Sequence, residues 1–80
     1  MKIYNFNGNK NICGARVKEA RRRMGLSQEN LAARLQIEGV IIERDSISRI
    51  EIGTRFVADY ELLMLCKILG VTPGYLLGLE

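Results

Sequence analysis

Polar and charged side chains alternate with isoleucine in the middle of the chain, at a spacing typical of one face of a helix. The segment spans residues 44–56 and reads RDSISRIEIGTRF. Ile47 and Ile50 stand three apart, as on the buried side of a helix, so the serines and arginines face the other side. Arginine and serine side chains donate hydrogen bonds to phosphate oxygens and to base edges. The polar side is therefore either a solvated helix surface or a surface that contacts a ligand.

A second group of charges lies nearer the N-terminus. Five basic residues accompany a single acidic one, Glu19; they are Arg16, Lys18, Arg21, Arg22 and Arg23. Such a block is either the electrostatic footprint of a nucleic-acid-binding protein or a solvated helix face. The net charge of +3 is modest and does not decide between them.

The residues that the chain lacks restrict its chemistry. It contains no histidine, and its two cysteines, Cys13 and Cys66, lie far apart without a C-x-x-C pair. A zinc site is therefore not expected, and both cysteines are interpreted as reduced thiols in or near the core. The chain also has no glycine-rich phosphate loop and no nucleophile with a neighbouring base. The sequence thus predicts neither a metal site, nor a cofactor, nor an enzyme.

The start of the chain and its apolar runs bear on location. The first residues, MKIYNFNGNKN, lack the apolar stretch of a secretory signal peptide. No apolar run is long enough to span a membrane. These features predict a cytoplasmic protein with no membrane partner.

The periodicity of apolar residues predicts a first helix over residues 12–24. Val17, Ala20 and Met24 recur at intervals of three and four, so we expect them on its inner face. Asn11 is the expected N-cap, and a glycine follows the last helical residue. The residues before this helix, 1–11, are expected to be a polar leader.

The second helix and the connection after it are less regular. Ser27 is the expected N-cap, but Asn30 stands three residues on, where a complete capping box has glutamate or glutamine. Gly39 is the expected end. The stretch VIIERD suits either a strand or a connection. Because the chain offers a strand no partner, we interpret it as a connection that places Ile42 in the core.

Three further helices complete the prediction. The third ends at Gly53, and the fourth runs over residues 59–69 with one apolar stripe. That stripe consists of Leu62, Leu65, Cys66 and Leu69. Thr72 is expected to cap a short fifth helix with Pro73 at its first position. The sequence therefore predicts one all-α domain of five helices over residues 12–80.

The second helix, the connection and the third helix together are typical of a helix-turn-helix motif. In such a motif the second of the two helices presents polar side chains to a DNA major groove about 12 Å wide, while its apolar side holds it to the domain. The segment RDSISRIEIGTRF meets both requirements.

Three stretches of the chain resemble the phage repressor/Cro-type (Xre-like) helix-turn-helix family, namely GLSQENLA, ISRIE and LGVTPGYLL. The resemblance extends over about residues 13–77. It implies a compact five-helix lambda-repressor-like DNA-binding domain whose partner is double-stranded DNA. The implied function is sequence-specific binding through the major groove by a repressor-type transcriptional regulator that occupies an operator. A homodimer is a further partner arrangement that the resemblance allows.

The resemblance also implies which residues form the site. The candidates that face bases are Gln28, Arg44, Asp45, Ser46, Ser48 and Arg49. The candidates for phosphate contacts are Ser27, Gln28, Thr54 and Arg55. A structural ion pair is expected between Arg21 and Glu51.

The chain departs from the family pattern at the helix-turn-helix itself. The connection before ISRIE is longer than usual, so the second helix, the turn, or both must be longer. Glu43 replaces the usual serine or threonine cap of the third helix, and Asp45 either takes over as the cap or reads a base. Ile52 stands where the family often has asparagine.

Two alternatives concern binding to protein. Val40, Ile41 and Ile42 offer an apolar docking surface if the domain is a protein-interaction module, such as an antitoxin or adaptor. For a homodimer, the candidate surface is Leu63 and Met64 on the fourth helix, with the C-terminal residues GYLLGLE. In that stretch Leu76 and Leu77 alternatively close the core.

Overall fold

Five helices follow one another along the chain in the computed structural model, which describes residues 5–80. They are α1 (Gly14–Arg23), α2 (Gln28–Ile37), α3 (Arg44–Ile52), α4 (Asp59–Leu69) and α5 (Pro73–Leu76). The described residues form no strand, although Phe6 and Asn9 make an isolated bridge. The prediction of an all-α fold with five helices is confirmed. The first four residues of the predicted leader lie outside the described part of the chain.

The first helix starts two residues later than predicted, at Gly14. The prediction that Asn11 is the N-cap was wrong, because that position is Cys13, whose side chain makes no capping hydrogen bond. Asn11 lies two residues earlier, and its Oδ1 still accepts a hydrogen bond from the Gly14 N–H at 2.8 Å. Val17 and Ala20 are buried as expected. The prediction that Met24 faces inward was wrong, since the helix ends at Arg23 and Met24 is 43% exposed.

The start of α2 forms a reciprocal capping box. The Asn30 N–H donates to Ser27 Oγ at 3.0 Å, and the Ser27 N–H donates to Asn30 Oδ1 at 3.4 Å. The expectation of an incomplete box was therefore wrong, because an asparagine amide oxygen takes the place of the glutamate carboxylate. At the other end Gly39 adopts a left-handed conformation, with φ at +88°, that glycine reaches without strain.

The connection between α2 and α3 packs against the domain. Val40 and Ile42 are buried, whereas Ile41 between them is 95% exposed. The Gln36 side chain donates a hydrogen bond to the Ile42 carbonyl at 2.7 Å. The interpretation of this segment as a connection with Ile42 in the core is confirmed.

Every helix contributes to one apolar core. Its fully buried side chains are Val17, Leu31, Leu35, Ile47, Ile50, Leu65 and Leu76. Burying a side chain of this size is worth about 1.5–3 kcal/mol. Helix α3 packs against both α1 and α2 through Ile47 and Ile50. The core therefore holds α3 by one side and leaves its other side free.

The last two helices match their predicted positions. Leu65, Cys66 and Leu69 of α4 are buried and Leu62 is partly buried. The Thr72 hydroxyl caps α5 by accepting a hydrogen bond from the Tyr75 N–H at 3.0 Å. Leu76 is completely buried, so it closes the core and is not available to a dimer surface.

Candidate nucleic-acid interface

The two sides of α3 differ in the way that the sequence predicts. Ile47 and Ile50 are completely buried. The polar residues on the opposite side are exposed or half-buried, and they are Arg44, Asp45, Ser46, Ser48 and Arg49. The N-terminal half of α3 thus presents a row of hydrogen-bonding side chains to solvent.

Arg44 and Asp45 interact with each other at the start of α3. Arg44 Nη2 lies 3.1 Å from Asp45 Oδ1, and both side chains are more than half exposed. Glu43, the residue before the helix, is extended and its side chain makes no capping hydrogen bond. An exposed pair of this kind contributes little to stability, so both side chains are free to exchange this contact for another.

A buried ion pair joins α3 to α1. Arg21 Nε lies 2.6 Å from Glu51 Oε2 and Arg21 Nη2 lies 3.0 Å from Glu51 Oε1. The two side chains are 10% and 2% exposed. The hydrogen bond to Glu51 raises the pKa of the Arg21 guanidinium. Arg21 also donates to the Leu26 carbonyl at 2.8 Å, so the pair fixes the chain just before α2.

Gln28 joins this cluster from the start of α2. Its side-chain amide donates to Glu51 Oε1 at 3.1 Å, so the first residue of α2 is held against the last turn of α3. Its backbone N–H lies at the helix N-terminus, where the dipole favours an anion. A contact of the Gln28 side chain with DNA requires this hydrogen bond to be exchanged, and that contact stays a prediction.

The loop after α3 contains the remaining phosphate candidates. Thr54 is exposed, and its N–H donates to the Arg49 carbonyl at 2.9 Å. The Arg55 guanidinium donates to both carboxylate oxygens of Glu61, each at 3.0 Å. The Arg55 side chain is 24% exposed and Glu61 only 5%. Arg55 is thus bound to the scaffold, and its contact with phosphate stays a prediction.

The pair with Glu61 changes the pKa of both groups. Burial raises the pKa of the Glu61 carboxyl, but the hydrogen bonds from Arg55 and from the Ala58 N–H outweigh it and leave that pKa lowered. The hydrogen bond to Glu61 raises the pKa of Arg55. Both groups therefore remain charged at neutral pH.

A family model described as a helix-turn-helix domain matches residues 13–76. The matched span contains all five helices. The chain belongs to this helix-turn-helix family. The resemblance drawn from the sequence motifs is confirmed, and membership of the family indicates DNA binding and a typically non-enzymatic domain. No curated protein and no solved structure matches the chain.

Within the helix-turn-helix domain, α1 divides the basic block. Arg21 turns inward to Glu51, whereas Lys18, Arg22 and Arg23 are exposed. Arg23 Nη2 lies 2.9 Å from Glu19 Oε1 and 3.3 Å from the Tyr75 hydroxyl. The exposed residues add positive charge to the domain surface.

Sequence reasoning missed two residues that support the helix-turn-helix. Asn11 was expected only to cap α1, but its side-chain nitrogen also donates to the carbonyls of Ile50 and Arg55. No local pattern reveals those partners. Glu61 did carry a signal, since a glutamate three residues into a helix is typical of a cap, and the Ala58 N–H donates to it at 3.0 Å.

Residues 5–80 show neither a group of metal ligands nor a membrane-spanning helix. Within that range, no three side chains of histidine, cysteine, aspartate or glutamate come together to hold a metal ion. None of the helices there has both the length and the apolar character needed to cross a membrane.

Proposed function

We propose that the protein binds double-stranded DNA sequence-specifically, with the polar side of α3 in the major groove. The observation that supports this most is the division of α3 into a side that buries Ile47 and Ile50 completely and a side that presents exposed arginine and aspartate with half-buried serine, together with the exposed Ile52 in the last turn. A major groove about 12 Å wide admits one such helix. As a cytoplasmic transcriptional regulator of the repressor type, the protein would act by occupying an operator.

The exposed residues of α3 take the base-reading roles. Arg49 and Arg44 have the fork of donors that binds the O6 and N7 of guanine, a contact worth about 1–3 kcal/mol of discrimination. Asp45 accepts from a cytosine amino group once Arg44 turns toward a base. Ser46 and Ser48 are half-buried, so we assign them shorter-range contacts beside these.

The phosphate contacts flank α3 on both sides. Ser27 and Gln28 stand at the N-terminus of α2, and Thr54 is exposed in the loop after α3. Contacts to phosphate set the register of a protein on the duplex, whereas base contacts supply specificity. Arg55 would join them through the part of its guanidinium that Glu61 does not cover.

Binding as a homodimer would let the protein read a longer site. One recognition helix reaches few bases, whereas two copies can occupy half-sites about 34 Å apart, one turn of DNA. With Leu76 buried, the candidates that remain for the contact between copies are Leu63, Met64 and the rest of GYLLGLE, in which Leu77 is half-buried and Leu79 is exposed.

Selection of bound duplexes from a random pool at near-physiological salt tests the proposal. Wild type should enrich a palindromic consensus, and Arg49→Ala should lose the preference at one position in each half-site. Arg22→Ala, which removes an exposed arginine from α1, is the matched control and should keep the full consensus. A pool that returns without enrichment for wild type would show that sequence-specific recognition is wrong.

The second candidate function is a protein-interaction module. The structure reduces its proposed docking surface, because Val40 and Ile42 are buried and only Ile41 of the three is exposed. Ile37 nearby is also 83% exposed, and this pair is what favours the alternative.

Salt separates the two functions. Binding that neutralises Z phosphates on duplex DNA weakens with a slope of about −0.9Z on a log–log plot against salt. An apolar contact through Ile41 would show little salt dependence and would weaken in Ile41→Ser. A steep slope with no effect of that substitution supports DNA binding.

A further inference from the structure

The carbonyl groups at the end of α3 receive hydrogen bonds from the residues just before α1. Asn11 Nδ2 donates to the Ile50 carbonyl at 3.0 Å and to the Arg55 carbonyl at 2.8 Å. The Lys10 N–H donates to the Gly53 carbonyl at 2.8 Å. The last carbonyls of a helix have no partner within the helix. Two consecutive residues therefore donate to three carbonyls at the end of α3 and in the loop after it, and the Ile50 carbonyl also accepts from the Gly53 N–H at 3.1 Å.

The Asn11 carboxamide is fully used in this arrangement. Its two N–H bonds go to Ile50 and Arg55, and its oxygen accepts from the Gly14 N–H at 2.8 Å. Turning the amide over would place its oxygen against two carbonyl oxygens. The partners therefore fix the orientation of the amide, and one side chain connects the start of α1, the end of α3 and the following loop.

The surrounding residues approach α3 as closely as sterics allow. A Cβ atom on Gly14 would lie 2.2 Å from the Ile50 carbonyl oxygen, so only glycine permits this approach of α1 to α3. Phe6 and Asn9 exchange two backbone hydrogen bonds across a tight turn, and Asn9 Oδ1 packs against Gly53. Residues 5–11 thus form a short strap, the leader strap, that is seated on the end of α3.

We propose that Asn11 is a positioning residue for DNA recognition, because it fixes the direction in which α3 points. This role rests on the proposed function. Ile47 and Ile50 resist the separation of α3 from the core, but apolar contact is non-directional and allows rotation. Hydrogen bonds weaken steeply when they bend. The bonds from Asn11, together with those that Arg21 and Gln28 make to Glu51, therefore define the angle of the helix at its C-terminal end. Within residues 5–80, Asn11 alone ties that end to the loop at Arg55.

The length of α3 makes this angle important. Its nine residues span about 13 Å, so a small rotation at Ile50 displaces the start of the helix, where Arg44 would meet a base. A bidentate contact with guanine tolerates little displacement. Asn11 also holds the Arg55 carbonyl, one residue beyond Thr54, so it fixes the loop after α3, where the proposed phosphate contacts lie, relative to the helix.

The first test variant is Asn11→Ser. A serine hydroxyl still accepts from the Gly14 N–H as a helix cap, but it is too short to reach the carbonyls of Ile50 and Arg55. The second variant, Asn11→Asp, keeps the acceptor and replaces the donors with a carboxylate oxygen. Asn7→Asp adds the same charge at the turn of the leader strap and is the control for Asn11→Asp.

The measurement is the ratio of the affinity for the selected duplex to the affinity for a scrambled duplex of equal length, at one salt concentration. Circular dichroism checks that each variant is folded. For Asn11→Ser we expect this ratio to fall about tenfold, as for the loss of about 1.4 kcal/mol. Binding to the scrambled duplex should stay as in wild type. In Asn11→Asp the ratio should fall by the same factor, and in Asn7→Asp it should stay at the wild-type value.

Amide hydrogen exchange provides a readout that does not depend on DNA. The N–H groups of Gly53 and Thr54 both bond to the Arg49 carbonyl and close α3. They should exchange faster in Asn11→Ser, while core amides such as that of Leu65 keep the protection of wild type. A folded Asn11→Ser that keeps the wild-type ratio would overturn the proposal, whether or not its amide exchange changes.

The two proposals fail in different ways. If wild type itself does not distinguish the two duplexes, sequence-specific binding is wrong, and so is a role for Asn11 in it. If wild type does distinguish them and Asn11→Ser retains the ratio, only the role of Asn11 is wrong.

Discussion

Arg21, Gln28 and Glu51 connect three helices through one cluster of three side chains. Glu51 accepts from Arg21 through both carboxylate oxygens and from Gln28 through one of them, and the Glu51 side chain is 2% exposed. Charges taken out of water are costly unless their partners satisfy them, and here each does. The contact therefore depends on every partner being present.

Removing either member of this pair should destabilise the domain strongly. Arg21→Ala and Glu51→Ala each leave a buried charge without its partner, so we expect the free energy of unfolding to fall by about 3 kcal/mol. Urea denaturation measures this. Arg23→Ala, which breaks an exposed pair with Glu19, is the control and should leave the midpoint nearly unchanged. Equal effects at the two pairs would contradict the expectation.

The lowered pKa of Glu61 predicts how stability depends on pH. Between the lowered pKa in the folded state and the ordinary glutamate value of about 4.3, the unfolded chain binds more protons. The stabilisation is therefore present above that ordinary value and is lost as pH falls through the folded pKa.

Glu61→Gln tests this dependence. The variant should be less stable than wild type at neutral pH, and its stability should fall less steeply in acid. Urea unfolding at a series of pH values from about 7 down to about 2 measures both effects. Glu19→Gln alters an exposed pair and should keep the wild-type profile. If Glu61→Gln keeps it too, the pair with Arg55 contributes nothing to acid sensitivity.

At the scale of elements, the connection between α2 and α3 replaces a short turn with a packed segment. Its apolar residues alternate between the core and solvent, with Ile42 at 3% exposure and Ile41 at 95%. The hydrogen bond from Gln36 to the Ile42 carbonyl ties it to the last turn of α2. The longer connection is thus an ordered part of the helix-turn-helix, packed on the core and hydrogen-bonded to α2.

Two neighbouring isoleucines give a matched test of this segment. Ile42→Ala should lower the free energy of unfolding by about 3 kcal/mol, because it removes buried methyl groups and leaves a cavity. Ile41→Ala should have little effect, since that side chain is already in water. Chemical denaturation of both variants makes the comparison, and similar losses would mean that the connection does not pack as described.

At the scale of the whole molecule, the two cysteines report on global opening. Cys13 and Cys66 are free and buried, at 2% and 6% exposure. Burial raises the pKa of both thiols, so neither forms thiolate readily at neutral pH.

Thiol labelling should therefore follow unfolding. With a disulfide reagent at neutral pH, both cysteines should react slowly in the native protein and quickly in urea. In the less stable Arg21→Ala variant, both should react faster without urea than they do in wild type. The released chromophore gives the rate. Fast labelling of one cysteine in the native protein, at a rate that Arg21→Ala does not change, would reveal local opening around that residue.

The helices and the motif were predictable because their signals are local. An apolar period of three to four residues, a serine or threonine cap and a glycine after the last turn all act within a few positions. The bounds of α4 and the start of α5 followed from such signals, as did the burial of Ile47 and Ile50. Asn30 misled the prediction because its side chain, although one methylene shorter than that of glutamate or glutamine, still reaches the Ser27 N–H.

The sequence by itself thus determined five helices, a two-sided α3 and membership of a helix-turn-helix family. Only the tertiary structure decided how these parts are held. Asn11 meets carbonyls 39 and 44 residues away, and a carbonyl partner leaves no trace in residue type. Gln28 donates a hydrogen bond to Glu51, and Arg55 donates to Glu61. These pairs were not predictable for the same reason, because a polar side chain bonds to whichever group the packing brings near it. Local patterns decide which segments become helices, and the closing of the core decides what their polar side chains touch.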